Sequence, residues 1–146
     1  MRRLNEISLK KATARKIDDH ILENVVHEGQ IIEKNDVIEL KDVNLTLAEH
    51  SDYALLVCVE RLAQITKEAR GILATKQMAR NNIAKAIVVS SKEQRKIMEI
   101  YQMVNKPHHH LKVFDSRCEA MEWLIQQLER NKIPLLKTED GSCSQN

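Results

Sequence analysis

Three groups of residues combine reactive side-chain types with close spacing: His108-His109-His110, Ser90-Ser91, and Thr66-Lys67-Glu68 followed by Arg70. Three adjacent histidines on a strand cannot face one metal, because neighbouring side chains point to opposite faces. His108 and His110 can share a face, but no Cys, Asp or Glu stands at ligand spacing to complete a zinc set. The tract reads as an exposed loop entering the last strand. Ser90-Ser91 follows a β-branched run and precedes a helical pattern. Free N–H groups there, together with two hydroxyls, can hold an anion. The simpler role is helix capping. No G-x-S-x-G elbow makes either serine a nucleophile. With only Gly29, Gly71 and Gly141, the chain has no phosphate loop and no dinucleotide fingerprint. Thr66 has the chemistry of an N-cap, with Glu68 in the positive first turn behind it. Glu60-Arg61 and Lys67-Glu68 bracket the preceding loop and form a charged rim.

Cys58, Cys118 and Cys143 are odd in number and widely spaced, which fits neither a disulfide framework nor a zinc pattern. Cys58 and Cys118 are expected as buried thiols, in keeping with a reducing cytoplasm. No cofactor or metal site is expected.

The elements that must position these residues are legible from period and punctuation. Ile21–His27 reads as a strand ending at Gly29. Asn35 or Asp36 starts a helix to about His50, with Val37, Leu40, Val43 and Leu47 as its apolar stripe. Tyr53–Val59 (YALLVCV) is the most apolar run and the expected central strand. A helix from Thr66 breaks and restarts near Thr75. Ala84–Ser90 is the next strand, and Ser91 caps a helix that must end before Pro107. That helix is expected to turn Ile97, Ile100, Tyr101 and Val104 inward. Leu111–Phe114 is the last strand, and Asp115 or Ser116 caps the helix to Arg130. Trp123 and Phe114 are expected in the core.

Four successive β-α units result, at 21–50, 53–82, 84–105 and 111–130. Short connections and right-handed crossovers give an α/β fold: a single domain with a small, mostly parallel sheet covered by helices. Residues 1–16 hold six of the basic residues against Glu6 and are expected as a flexible basic tail. The domain then covers 17–133, and the polar 134–146 segment is a disordered tail.

The chain has 146 residues, 42% hydrophobic and 30% charged, enough for one domain with a real core. A formal charge of +2 and only 3% aromatic residues argue against a nucleic-acid partner. No run approaches the roughly 20 apolar residues of a membrane span, and no signal peptide is seen.

Three segments carry a family resemblance: YALLVCVERLAQITKEARGILAT, AIVVSSKEQRKIMEIYQMVNKP and LKVFDSRCEAMEWLIQQL. In these the chain resembles the SpoIIAA-like or STAS-like bacterial domains, in particular their stand-alone, uncharacterised branch. The likeness spans roughly residues 17–130 and rests on structural signatures. Regulated members of that family are switched by phosphorylation of a serine just after an aspartate, at the helix start that follows the central strand. Those positions fall here on Thr66 and Lys67. Lys67 cannot accept phosphate in that way, so the resemblance does not carry the switch over.

The resemblance and the lack of a catalytic constellation imply a non-enzymatic, cytoplasmic protein-interaction module in bacterial regulation or signalling, with a protein partner and a homodimer as its expected assemblies. Its candidate partner surface or modification site is Thr66, Lys67, Glu68 and Arg70, with Ser90 and Ser91 nearby. The alternative is a small-molecule or lipid carrier of the same fold. A cavity lined by residues such as Ile72, Leu73, Met98 and Tyr101 would favour the carrier, and a filled core would oppose it.

Overall fold

The β-branched and aliphatic runs of the sequence become the middle of one twisted sheet. A computed structural model describes residues 5–107 and 110–133. Its strands β1 (Glu6–Ser8), β2 (Ala12–Asp18) and β3 (Ile21–Val26) form an antiparallel meander. The chain continues through β4 (Ile31–Ile32), α1 (Lys34–Leu47), β5 (Tyr53–Val59), β6 (Gln64–Ile65), α2 (Lys67–Leu73), α3 (Lys76–Ala79) and β7 (Asn82–Val88). It ends with α4 (Lys92–Asn105), β8 (His110–Phe114) and α5 (Arg117–Arg130). The six-stranded sheet has the order β1-β2-β3-β5-β7-β8. From β3 to β8 the pairing is parallel, as the helical crossovers require. The four expected β-α units and the mostly parallel sheet are therefore present. The two short strands β4 and β6 pair with each other in parallel beside the main sheet.

The N-terminal expectation needs correction. Residues 6–18 are not a free tail but the strands β1 and β2. Ala12 and Ala14 are buried, alternating with Thr13 and Arg15. That is a period-2 strand pattern written in small residues. The polar segment 134–146 and the pair His108-His109 lie outside the described residues.

Several caps match the sequence. Thr66 Oγ1 accepts from Ala69 N at 3.1 Å, Ser91 Oγ from Gln94 N at 3.1 Å, and Ser116 Oγ from Glu119 N at 3.3 Å. A break at Thr75 separates α2 from α3. α1 starts slightly earlier than expected, capped at Glu33, whose N–H donates to Asp36 Oδ2 at 2.8 Å.

The two faces of the sheet pack differently. α5 covers one face, where Ala54, Leu56, Ala84, Ala86, Leu124 and Leu128 are fully buried in a single cluster. Helices α1 to α4 cover the other, where the apolar residues split into three smaller clusters. Val57 touches all three.

Two expectations about side chains fail. On α4 only Met98 and Tyr101 are buried, while Ile97, Ile100, Met103 and Val104 are exposed. Met98 and Tyr101 lie three apart on one narrow stripe, so the neighbouring apolar positions overshoot the sheet. Cys118 stands on the exposed first turn of α5 and is disulfide-bonded, so it is not a buried thiol. Cys58 is half-buried and free.

Candidate functional site

The gap between the three clusters is a cavity of about 560 Å³. That volume lies in the range of small-molecule sites, about 300–1,000 Å³. Its floor is the sheet. Strand alternation sends every second side chain of β3, β5 and β7 to this face. Asn24 and Val26, Leu55 and Val57, and Lys85 and Ile87 line it accordingly. Its walls are Val37, Lys41 and Asn44 of α1, Leu73 of α2, Met78 of α3, and Ile97 and Met98 of α4. Ile32, Gln64 and Ile65 of the small β4-β6 pair close one side.

The cavity has a deep end and a mouth. The mouth lies beyond the C-terminal ends of the strands, where the exposed Arg61, Leu62, Glu93 and Ile97 line it. Open parallel sheets bind ligands at that end. The loop at the mouth is held in place. Gln94 Nε2 donates to Glu60 O at 2.9 Å and to Ala63 O at 3.1 Å, and Ser90 Oγ donates to Val59 O at 2.6 Å. Gly29, at φ +72°, brings its N–H to Arg61 O at 3.0 Å.

The deep end is polar, built by Tyr53 at the start of β5, Asn82 and Lys85 of β7, and Lys41 of α1, with Asn24 of β3 and Asn44 of α1 beside them. Asn24 and Asn44 exchange two amide hydrogen bonds of 2.8 and 2.9 Å. Lys41 Nζ donates to Tyr53 Oη at 2.9 Å and to the Arg80 carbonyl. Burial, and then the nearby Arg80, pull the Lys41 ammonium down to about 8. Burial pushes the Tyr53 phenol upward. Asn82 Oδ1 is buried and has no donor among the described residues.

Lys85 is the outlier. It is 4% exposed, and among the described residues its amine has no hydrogen bond or ion pair. Its strand register places it beside Leu55 on one side and Leu111 on the other. Burial, and then Lys41, pull it down to about 7. An isolated buried charge is costly enough that such a group sheds its proton instead.

The residues singled out by the sequence mostly hold the scaffold. Thr66 and Ser91 are caps, and Ser91 also lines the cavity. Ser90 ties the mouth loop to β5. Arg70 Nη1 donates to Ile65 O at 2.9 Å. The exposed Glu68 pairs with Lys34 at 3.1 Å, and Lys67 is exposed. Thr66 and Glu68 share a surface groove with Lys11, Lys34 and Asp36, separate from the cavity. Of the cavity residues named from sequence, Leu73 and Met98 line it, whereas Ile72 and Tyr101 pack beside it. His110 stacks on Trp123, with ring centroids 5.2 Å apart. No cluster of three metal-ligating side chains occurs among the described residues, and no helix there is long and apolar enough to cross a membrane.

Lys41 and Lys85 were not foreseen. Lys85 leaves a plain signal: a lysine two residues from both Ile83 and Ile87, flanked by Ala84 and Ala86, in the middle of a strand. Lys41 is harder to see, because the buried residues of α1 are Val37, Lys41, Asn44, Leu45 and Leu47. The stripe read from sequence shares Val37 and Leu47 with that face, but Lys41 and Asn44 are polar and carry no apolar signal.

Among solved structures, the fold is similar to that of an uncharacterized protein of the DUF3478 family from Shewanella loihica PV-4, described as having a SpoIIAA-like fold. The TM-score is 0.57 at 13% identity, over 85% of this chain and 98% of that one. The fold is thus SpoIIAA-like. No curated protein matches the sequence. A family model described as "Domain of unknown function (DUF7793)" matches residues 15–128, and the chain belongs to that family.

Proposed function

We propose that this protein is a non-enzymatic small-molecule-binding module, whose ligand has a largely apolar body and sits between the sheet and helices α1 to α4. The observation that carries this reading is the cavity of about 560 Å³, walled by aliphatic side chains and open beyond the C-terminal ends of the strands. A filled core on that face would have opposed it. Most groups that could do acid–base or nucleophilic work are spent on caps and loop ties, which supports binding over catalysis.

The test is titration with N-phenyl-1-naphthylamine, a neutral fluorescent probe of apolar sites. One probe per chain is expected, displaced by 1-decanol. Leu73→Trp, which fills the cavity from α2, should abolish the signal while the melting transition persists. Absence of saturable probe binding to the wild-type protein overturns the reading.

The second reading is the protein-interaction module in bacterial regulation. The exposed row Ile97, Ile100, Met103 and Val104 on α4 favours it. Large apolar side chains grouped on a surface are a feature of interaction sites. A cavity that takes no apolar probe moves the assignment to this reading.

A further inference from the structure

We infer that the ligand of this cavity carries an anionic carboxylate head, which enters first and is held at the deep end by Lys85 beside Lys41. The inference rests on the cavity being a ligand site. It adds the chemistry of the head and the direction of entry.

Four observations carry it. Lys85 is buried, lines the cavity, and has no acceptor among the described residues. Lys41, the second buried amine, spends two donors on Tyr53 Oη and the Arg80 carbonyl and keeps a third. The ionisable residues lining the cavity are Lys41 on α1, Tyr53 on β5, Lys85 on β7, Arg61 in the loop after β5, and Glu93 on α4. Glu93 is the one carboxylate, and it is exposed at the mouth. Val89, just past the end of β7, lies four residues on from Lys85, about 13 Å along the strand.

The deep end is therefore a low-dielectric site with two amines and no counter-charge. An arriving carboxylate accepts from Lys85 and offsets the repulsion between the two lysines. Its apolar body then lies along Val57, Ile87 and Leu73 towards the mouth. A neutral head supplies an acceptor but no charge. A cationic head meets two amines. The lowered proton affinity of Lys85 fits the same picture, since an adjacent anion raises it again. Binding above pH 7 then takes up a proton.

The test compares decanoate with 1-decanol by isothermal titration calorimetry on the full chain at pH 7. Decanoate is expected to bind at least about tenfold more tightly, as a charge-assisted hydrogen bond at a largely buried amine implies. Lys85→Met should erase that preference while keeping decanol binding, which also shows that the variant is folded. At pH 8, a series of buffers with different ionisation enthalpies should show proton uptake with decanoate, absent in Lys85→Met. Equal affinity for decanoate and decanol, or a preference that survives Lys85→Met, overturns the head-group inference and leaves the cavity reading standing. Failure of both ligands to bind overturns both. Replacing decanoate by 2-naphthoate separates a chain-like body from a ring, and either one binding better than its neutral alcohol supports the carboxylate head.

Discussion

On the α5 face of the sheet, Glu23 is buried and meets two guanidiniums; on the opposite face, Lys85 is buried and meets no acceptor among the described residues. Glu23 is 3% exposed, and its carboxylate accepts from Arg15 Nε and, at 3.0 Å, from Arg117 Nε. Cys58 Sγ lies 3.5 Å from the same carboxylate. Burial and this neighbouring carboxylate push the Cys58 thiol up to about 12. That face has one continuous apolar cluster and closes around a compensated charge. The other face leaves a cavity around an uncompensated one. A fold that can complete an ion pair on one side of a sheet has no general obstacle to doing so on the other. The unpaired amine is a structural cost that an anion bound as proposed would remove.

The sharpest way to break this contrast is to open the closed face. Leu124→Ala removes a fully buried side chain from the α5 cluster. It should destabilise by about 3–4 kcal/mol in denaturant titration. A loss under 1 kcal/mol would show that this face is as loosely packed as the other.

Next is the paired charge. Glu23→Gln leaves both arginines without a counter-ion, although each is half exposed and can turn to water. A loss of about 2 kcal/mol is expected at pH 7. Burial raises the Glu23 carboxyl, but Arg117 and Arg15 outweigh that and hold it below its ordinary value. Its contribution is therefore present above the unfolded value, near 4.5, and lost as pH falls through the lower folded value. Glu23→Gln should flatten stability against pH on the acid side.

The unpaired charge should behave oppositely. Lys85→Met exchanges a buried amine for an apolar chain of similar length and should stabilise the unliganded protein by about 1–2 kcal/mol at pH 7. Lys85 binds its proton less well folded, at about 7, than unfolded, at 10.5. The unfolded chain therefore holds the extra proton between these values, and wild-type stability rises as pH increases from 7 to 10.5. Lys85→Met should weaken that rise, as seen by thermal melts at pH 6, 8 and 10. A destabilised Lys85→Met variant would mean that the amine has a partner, and the contrast between faces would fail.

The smallest expected effect is at Thr66. Its hydroxyl caps α2 over the cavity, and Thr66→Ala should cost about 1 kcal/mol. Thr66→Ser should restore it. Phosphorylation or partner loss as the main phenotype would instead place a working surface on α2.

The sequence revealed the closed face better than the open one, for physical reasons. β5, β7, β8 and α5 announce themselves through β-branched runs, capping residues and helical period, because they are buried against each other. The hairpin β1-β2 is concealed, since its fully buried residues are the small Ala12 and Ala14, and the larger Ile7 and Ile17 are only partly buried among charged neighbours. The candidate site is concealed differently. Its defining residues, Lys41, Asn44 and Lys85, are polar groups in positions that period reading reserves for apolar ones. α4 misleads in the opposite direction, because Ile97, Ile100 and Val104 look like core and face outward. Caps at Thr66, Ser91 and Ser116 were legible, because capping needs only local sequence.

The N-terminal meander has a consequence for how the chain meets other copies of itself. β3 is six residues long with five buried, and its outer hydrogen-bonding edge is covered only by β2. β2 is in turn covered by a three-residue strand with mostly exposed side chains. The sheet thus tapers from a sticky parallel centre to a short, charged border that offers little template for another chain. Cutting the protein before Ile21 would bare β3 and convert a quiet border into a nucleus for aggregation.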